Sequence, residues 1–146
     1  MTGRTILLIE DSPDDEALIV RALKKASVQN RIDVVRDGAE ALEYVFGRGP
    51  YTARGVAHPT VTILDLKLPK VDGLEVLRQI RGDPRTKNNP VVILTSSDEH
   101  EDLLRSYGLG VNSYVRKPIE FGQFFKTVAD LGLYWLLVNQ VSPDAR

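Results

Sequence analysis

The sequence contains no cysteine among its 146 residues. Disulfide bonds, zinc sites built on thiolates and cysteine nucleophiles are therefore excluded. Neither sign of charge is in excess, because 19 Lys and Arg residues oppose 20 Asp and Glu residues. This balance argues against broad nucleic-acid binding, which requires a clear positive surplus.

Long hydrophobic runs are also missing. The longest nearly apolar run, residues 131–138, is far shorter than the ~20 residues that a membrane-spanning helix needs. The N-terminal apolar run leads into acidic residues and lacks a small-residue cleavage site, so it does not have the form of a signal peptide. Length and composition together predict one soluble domain in the cytoplasm, with no membrane or nucleic-acid partner.

Five short apolar segments recur along the chain at intervals that leave room for a helix between them. Three of them, residues 5–9, 61–64 and 91–94, are continuous rather than alternating, which is typical of parallel strands buried on both faces. Two weaker strand candidates are residues 32–35, which suit a position nearer the sheet edge, and residues 112–116.

The segments between these strands have the pattern of helices. Ser12 and Pro13 are a capping residue and a first-turn proline, and three acids follow them, so a helix is predicted to begin there. Alternation of strand and helix predicts an open, doubly wound α/β sheet with right-handed crossovers. Four further helices are predicted at residues 38–46, 74–81, 99–107 and 120–138.

Charged and polar side chains follow four of the predicted strands. In an open parallel sheet, ligands bind in the crevice beyond the carboxyl ends of the strands. Three carboxylates gathered there repel one another unless a cation joins them. With one lysine beside them, they lack two positive charges, and oxygen donors without Cys or His favour Mg²⁺. The residues concerned are Glu10, Asp11, Asp65, Thr95 and Lys117.

This arrangement resembles the receiver domain of bacterial response regulators. The resemblance is carried by Glu10-Asp11, by the segment DLKLPKVDG that begins at Asp65, by Thr95-Ser96 and by Lys117-Pro118. It implies a flavodoxin-like, five-stranded parallel sheet of strand order 2-1-3-4-5 with helices on both faces. It also implies a single receiver domain over residues 1–146, with a core at about residues 5–131 and a helical extension and tail at residues 132–146.

The resemblance implies a role for each of these residues. Asp65 would accept a phosphoryl group from the phosphohistidine of a sensor kinase. Mg²⁺ would be bound by Asp11, Asp65 and the backbone carbonyl of Lys67, with Glu10 acting through a water molecule. Lys117 and Thr95 would contact the phosphoryl oxygens, and the Lys117–Pro118 peptide bond would be cis.

Other positions would regulate the signal rather than accept it. Tyr114 would move inward together with Thr95, which would change a partner-binding surface on the fourth helix, fifth strand and fifth helix. Lys67 and Ser97 flank the site at positions that tune phosphoryl lifetime in the family.

Two further segments resemble those of the stand-alone receivers that partner bacterial phytochrome histidine kinases. They are the long Gly- and Pro-rich loop at residues 47–59 and the aromatic C-terminal segment.

Each of these residues also has a simpler explanation. Asp65 could cap a turn, and Tyr114 could be a packing residue. Asp14 and Asp15 are interpreted as acids that decorate a helix N-terminus.

Two other protein classes are also considered. A flavodoxin-type binding module would share the architecture, but its first loop would not carry the acidic sequence EDSPDD. An aspartyl-phosphate hydrolase would need a second Asp two residues after Asp65, where this chain has Lys67.

The last predicted helix is too apolar for one buried stripe. Some of its large side chains can face the core, but Leu133, Tyr134, Leu136 and Leu137 point in other directions around a helix. They could form an unusually wide core stripe. We favour the alternative, a homodimer formed through the C-terminal helix.

Overall fold

The computed structural model describes residues 5–25, 30–96, 102–105 and 107–129. Its centre is a five-stranded parallel sheet of order β2-β1-β3-β4-β5, as the resemblance implied. The strands are β1 (Thr5–Ile9), β2 (Arg31–Val35), β3 (Val61–Asp65), β4 (Val91–Thr95) and β5 (Ser113–Arg116).

Helices follow the strands, and three of them begin at an acidic cap. Asp37 and Asp72 accept hydrogen bonds from the backbone N–H groups of Glu40 and Glu75, and Glu120 caps the helix that begins at Phe121. None of the helices in the described ranges is long and apolar enough to cross a membrane. The helices are α1 (Pro13–Lys25), α2 (Gly38–Phe46), α3 (Gly73–Gly82), α4 (described at residues 102–105) and α5 (Phe121–Thr127).

The sheet is buried on both faces because alternate residues of each strand point to opposite sides. Every residue of β3 and β4 is buried, which confirms the prediction made from their continuous apolar sequences. On one face, Ile6 and Leu8 pack with side chains of α1 and α5. On the other face, Leu7 and Ile9 pack with side chains of α2 and α3. The polar strand ends are therefore left as the place where ligands can enter.

The long loop after α2 folds back against that helix. It contains a single 3-10 turn, Gly49–Tyr51. The guanidinium of Arg54 lies over the ring of Tyr44, 4.1 Å from its centroid, and over the ring of Tyr51, 5.0 Å from its centroid. Arg54 also donates to the backbone carbonyl of Tyr44. These contacts fix the path of a loop that has no strand of its own.

Candidate functional site

The polar ends of the strands converge as predicted. Glu10 and Asp11 follow β1, and Asp65 is the last residue of β3. One carboxylate oxygen from each of the three lies within 4.8 Å of the others. Glu10 and Asp65 are buried, whereas Asp11 is exposed. The site is therefore an acidic cleft with a buried floor and an open rim.

Lys117 brings a positive charge onto this floor. Its Nζ lies 2.9 Å from Asp65 Oδ2 and 3.0 Å from Glu10 Oε1. The N–H of Lys117 donates to the carbonyl of Thr95 at 2.7 Å, which holds the lysine backbone beside the end of β4. The Lys117–Pro118 peptide bond is cis. The lysine side chain is only 16% exposed, so its ammonium is held among carboxylates with little access to water.

Asp15 is part of the same cluster. Its Oδ2 lies 3.0 Å from Lys117 Nζ. The interpretation of this residue as a helix N-terminal acid and nothing more is therefore wrong. Asp14, the next acid in the same turn, is exposed, and its interpretation stands. The first turn of α1 thus contributes one acid to the site and leaves another in solvent.

Burial and pairing shift the ionisation of the two most enclosed groups. Burial raises the pKa of Glu10 to about 7, although the N–H of Ser12 and the ammonium of Lys117 act in the opposite direction. Burial also disfavours the charged form of Lys117, but its hydrogen bonds to Asp65, Glu10 and Asp15 outweigh this and raise its pKa. Lys117 is therefore charged at neutral pH, and the pKa of Glu10 lies close to that pH.

The donor set fits a divalent metal. One carboxylate oxygen from each of Glu10, Asp11 and Asp65 lies within 4.8 Å of the other two, which is close enough for one small cation to bind all three residues. The carboxylates of Glu10, Asp15 and Asp65 contact one ammonium, and Asp11 adds a fourth carboxylate beside Glu10 and Asp65, so carboxylates outnumber the ammonium. Hard oxygen ligands of this kind suit Mg²⁺ or a similar ion. On this evidence, the cleft can hold a divalent metal.

The loop after Asp65 forms the rim of the site. The backbone N–H of Lys67 donates to Asp65 Oδ1 at 3.1 Å. The Lys67 side chain is exposed and, together with Asp11 and Leu103, lines a cavity of about 570 Å³. Lys67 is thus beside the acidic cluster, as the sequence predicted.

The two predicted switch residues lie on neighbouring strands. Thr95 is buried at the end of β4, and Tyr114 is half-buried in β5, where it pairs in register with Ile93. The guanidinium of Arg105, in α4, lies 5.3 Å from the centroid of the Tyr114 ring. Ser97 lies outside the described residues, as do residues 130–146.

Comparison with known proteins gives the family. The sequence profile of the response regulator receiver domain matches residues 6–129, which is most of the chain. The chain belongs to the response regulator receiver domain family. A receiver is thereby distinguished from the flavodoxin-type module and the aspartyl-phosphate hydrolase that the fold alone would allow.

Two known proteins resemble this chain over most of their length. The probable methanogenesis regulatory protein FilR2 of Methanothrix harundinacea is 43% identical over 135 residues, which are 92% of this chain and 85% of FilR2. Response regulator Rcp1 of Synechocystis is 38% identical over 133 residues, 91% of this chain and 89% of Rcp1.

Solved receiver structures agree with the fold. The bacteriophytochrome response regulator AtBRR is 54% identical, with a TM-score of 0.76 over 89% of this chain and 93% of AtBRR. The Mn²⁺-bound form of Rcp1 is 38% identical, with a TM-score of 0.77 over 91% of this chain and 94% of Rcp1. The chain is accordingly a two-component response regulator similar to receivers of phytochrome systems.

Proposed function

We propose that Asp65 is the phosphoacceptor of this receiver and that a sensor histidine kinase supplies the phosphoryl group. The observation that carries this proposal is the contact between Asp65 Oδ2 and the Lys117 ammonium at 2.9 Å, on the buried floor of an acidic cleft. A carboxylate held beside a fixed positive charge can attack phosphorus, because the ammonium offsets the negative charge that gathers there.

The transfer exchanges one bond to phosphorus for another. A carboxylate oxygen of Asp65 forms the new O–P bond while the N–P bond of the kinase phosphohistidine breaks, and the histidine leaves with the bonding electron pair. The product is a mixed anhydride, which water can later hydrolyse. Lys117 and the hydroxyl of Thr95 would donate to the phosphoryl oxygens. In this view the chain is a phosphoacceptor that also dephosphorylates itself.

Mg²⁺ is the proposed cofactor. Asp11, Asp65 and the backbone carbonyl of Lys67 would hold it directly, and Glu10 would act through a water molecule. The grouping of one carboxylate oxygen each from Glu10, Asp11 and Asp65 within 4.8 Å of one another supports this assignment. When bound, the metal supplies positive charge to the phosphoryl oxygens. Removal of divalent metal should accordingly stop phosphorylation.

Phosphorylation would be transmitted through Thr95 and Tyr114. Thr95 is linked to Lys117 by the backbone hydrogen bond between them, and Tyr114 lies under the guanidinium of Arg105. An inward movement of Tyr114 would therefore change its packing with α4. The altered surface would comprise α4, β5 and α5, and would bind a downstream protein.

The similarity to phytochrome response regulators supports a more specific partner. AtBRR is named as a bacteriophytochrome response regulator. We propose a bacterial phytochrome as the sensor kinase, and a homodimer through the C-terminal segment as the assembled form.

The duration of the signal would depend on two further residues. Ser97 and Lys67 would set the lifetime of the phosphoryl group.

A labelling experiment tests the central proposal. The purified chain is incubated with acetyl phosphate and Mg²⁺, and its intact mass is measured. We expect one added phosphoryl group, which disappears in Asp65→Asn and after chelation of the metal. Asp72→Asn is the matched control, because Asp72 lies in the same loop, is exposed and caps α3. Persistent labelling of Asp65→Asn would overturn the proposal.

A further inference from the structure

We propose that Asp15 is a positioning residue, which shares the Lys117 ammonium with Asp65 before phosphorylation and releases it to the phosphoryl group afterwards. This inference rests on the proposed role of Asp65. It deepens that role, because it identifies what occupies Lys117 when no phosphoryl group is present.

The geometry leaves no spare hydrogen on Lys117. An ammonium has three N–H donors. Its Nζ lies 2.9 Å from Asp65 Oδ2, 3.2 Å from Glu10 Oε2 and 3.0 Å from Asp15 Oδ2. Three carboxylates therefore match three donors. A phosphoryl oxygen can receive a hydrogen bond from Lys117 only if one of these partners gives way.

Phosphorylation changes the carboxylate of Asp65 itself, and of the two unmodified partners Asp15 gives way more easily than Glu10. The side chain of Glu10 is fully buried and that of Asp65 is 4% exposed, whereas that of Asp15 is 28% exposed. Water can solvate the carboxylate of Asp15 once the contact opens, because this carboxylate is the most exposed of the three. The contact between Asp15 and Lys117 is the most exposed of the three ion pairs, so it is the one that costs least to open.

The local structure of α1 keeps Asp15 in reach of Lys117. The N–H of Asp15 donates to the hydroxyl of Ser12 at 3.3 Å, and the N–H of Ser12 donates to Glu10 Oε2 at 3.1 Å. The first turn of α1 is thus tied to the same carboxylate that contacts the lysine. The side chain of Asp15 thus points from the first turn of α1 toward Lys117.

The charge of Asp15 should oppose the phosphorylated state. A phosphoryl group on Asp65 adds negative charge next to a carboxylate that already competes for Lys117. If that competing charge is removed, Lys117 becomes fully available to the phosphoryl oxygens. The variant Asp15→Asn should therefore stabilise the phosphorylated form. Damage to the site would have the opposite effect, so the sign of the change is diagnostic.

The test compares Asp15→Asn with Asp14→Asn. Both variants remove one negative charge from the first turn of α1, but only Asp15 contacts Lys117. The probe is beryllium trifluoride with Mg²⁺, which mimics a phosphoryl group, and binding is measured by fluorine NMR. We expect Asp15→Asn to bind the probe about two- to fivefold more tightly than the parent, and Asp14→Asn to match the parent. The half-life of the acetyl phosphate-labelled protein should lengthen in parallel.

The outcomes separate this inference from the proposed function. Equal affinities in the two variants would show that only general charge matters, and would overturn the role of Asp15. Weaker binding or a shorter half-life in Asp15→Asn would also overturn it. Labelling that persists in Asp65→Asn would instead overturn the proposed phosphoacceptor, whatever the behaviour of Asp15.

Discussion

Gly38 and Val71 are in direct backbone contact. A β-carbon added to Gly38 would lie 1.7 Å from the carbonyl oxygen of Val71. The N–H of Gly38 also donates to the carbonyl of Pro69 at 3.1 Å. The start of α2 therefore packs directly on the loop that follows Asp65, and a side chain at this position has no room.

Gly38→Ala should consequently destabilise the protein and disturb the site. The obstructing atoms belong to the backbone, so they cannot rotate away, and overpacking of this kind costs about 1–3 kcal/mol. We expect a lower urea midpoint and slower labelling by acetyl phosphate, because the displaced loop carries Lys67. Gly82→Ala is the control, since a β-carbon there meets no atom within 4 Å. Equal stability of the two variants would contradict this contact.

Glu10 should make the metal-free protein less stable as pH rises. Burial raises the pKa of Glu10 in the folded chain to about 7, whereas the pKa of a solvent-exposed glutamate is 4.5. The folded state therefore binds more protons than the unfolded state between these two values, and the free energy of unfolding falls as pH increases through this window. The cause is burial of a carboxylate that is costly to ionise.

Glu10→Gln removes this penalty. In the presence of a chelator, we expect its melting temperature to exceed that of the parent by a few degrees at pH 8, and the difference to shrink at pH 5.5. Asp14→Asn provides an exposed acid as the control and should show no such pH dependence. A constant difference between Glu10→Gln and the parent from pH 5.5 to pH 8 would rule out Glu10 as the source.

The polar residues at the strand ends could be predicted from sequence. A buried parallel strand and the polar residue that follows it form one short, continuous sequence pattern. The strand order of the sheet is sufficient to bring together the acids at the ends of β1 and β3 and the lysine after β5. The role of Asp15 could not be predicted in this way. An acid in the first turn of a helix already has a sufficient local explanation in the helix dipole, and the contact with Lys117 exists only in three dimensions.

The loop between α2 and β3 shows a second limit. Its Gly and Pro content predicts the absence of regular structure. The stacking of Arg54 on Tyr44 and Tyr51 depends on the path of the loop across the helix, which no spacing in the sequence reveals.

Lys67 should lengthen the life of the phosphoryl group. Its exposed side chain lies two residues after Asp65, and an ammonium has donors but no acceptor with which to orient an attacking water molecule. Lys67→Asn introduces a carbonyl acceptor, so we expect severalfold faster self-dephosphorylation, measured as loss of phosphoryl mass with time. Lys70→Asn is the control, because Lys70 is in the same loop and Asn tolerates its φ of 70°. Decay of Lys67→Asn at the parental rate would refute this assignment.

The C-terminal sequence should mediate a homodimer. Five consecutive large apolar residues, Leu133 to Leu137, cover nearly all directions around a helix, whereas packing on a sheet buries only one stripe. Each large apolar side chain left in water forgoes about 1.5–3 kcal/mol of burial. An exposed apolar patch usually marks an interaction site, and two-fold pairing is the commonest way to bury such a patch in a homo-oligomer.

Light scattering at micromolar concentration checks the association. We expect the full chain to be dimeric and a chain ending at Asp130 to be monomeric. The double variant Tyr134→Ser with Leu137→Ser keeps the length but removes apolar surface at two positions three residues apart, and it should also be monomeric. Asn139→Ser with Gln140→Ser changes polar residues of the same segment and should remain dimeric. Tyr114 lies on β5, and its proposed movement changes the surface that β5 shares with α5. We therefore expect phosphorylation to strengthen the dimer. A full chain that is monomeric both with and without phosphoryl on Asp65 would refute the dimer and assign Leu133 to Leu137 to the core.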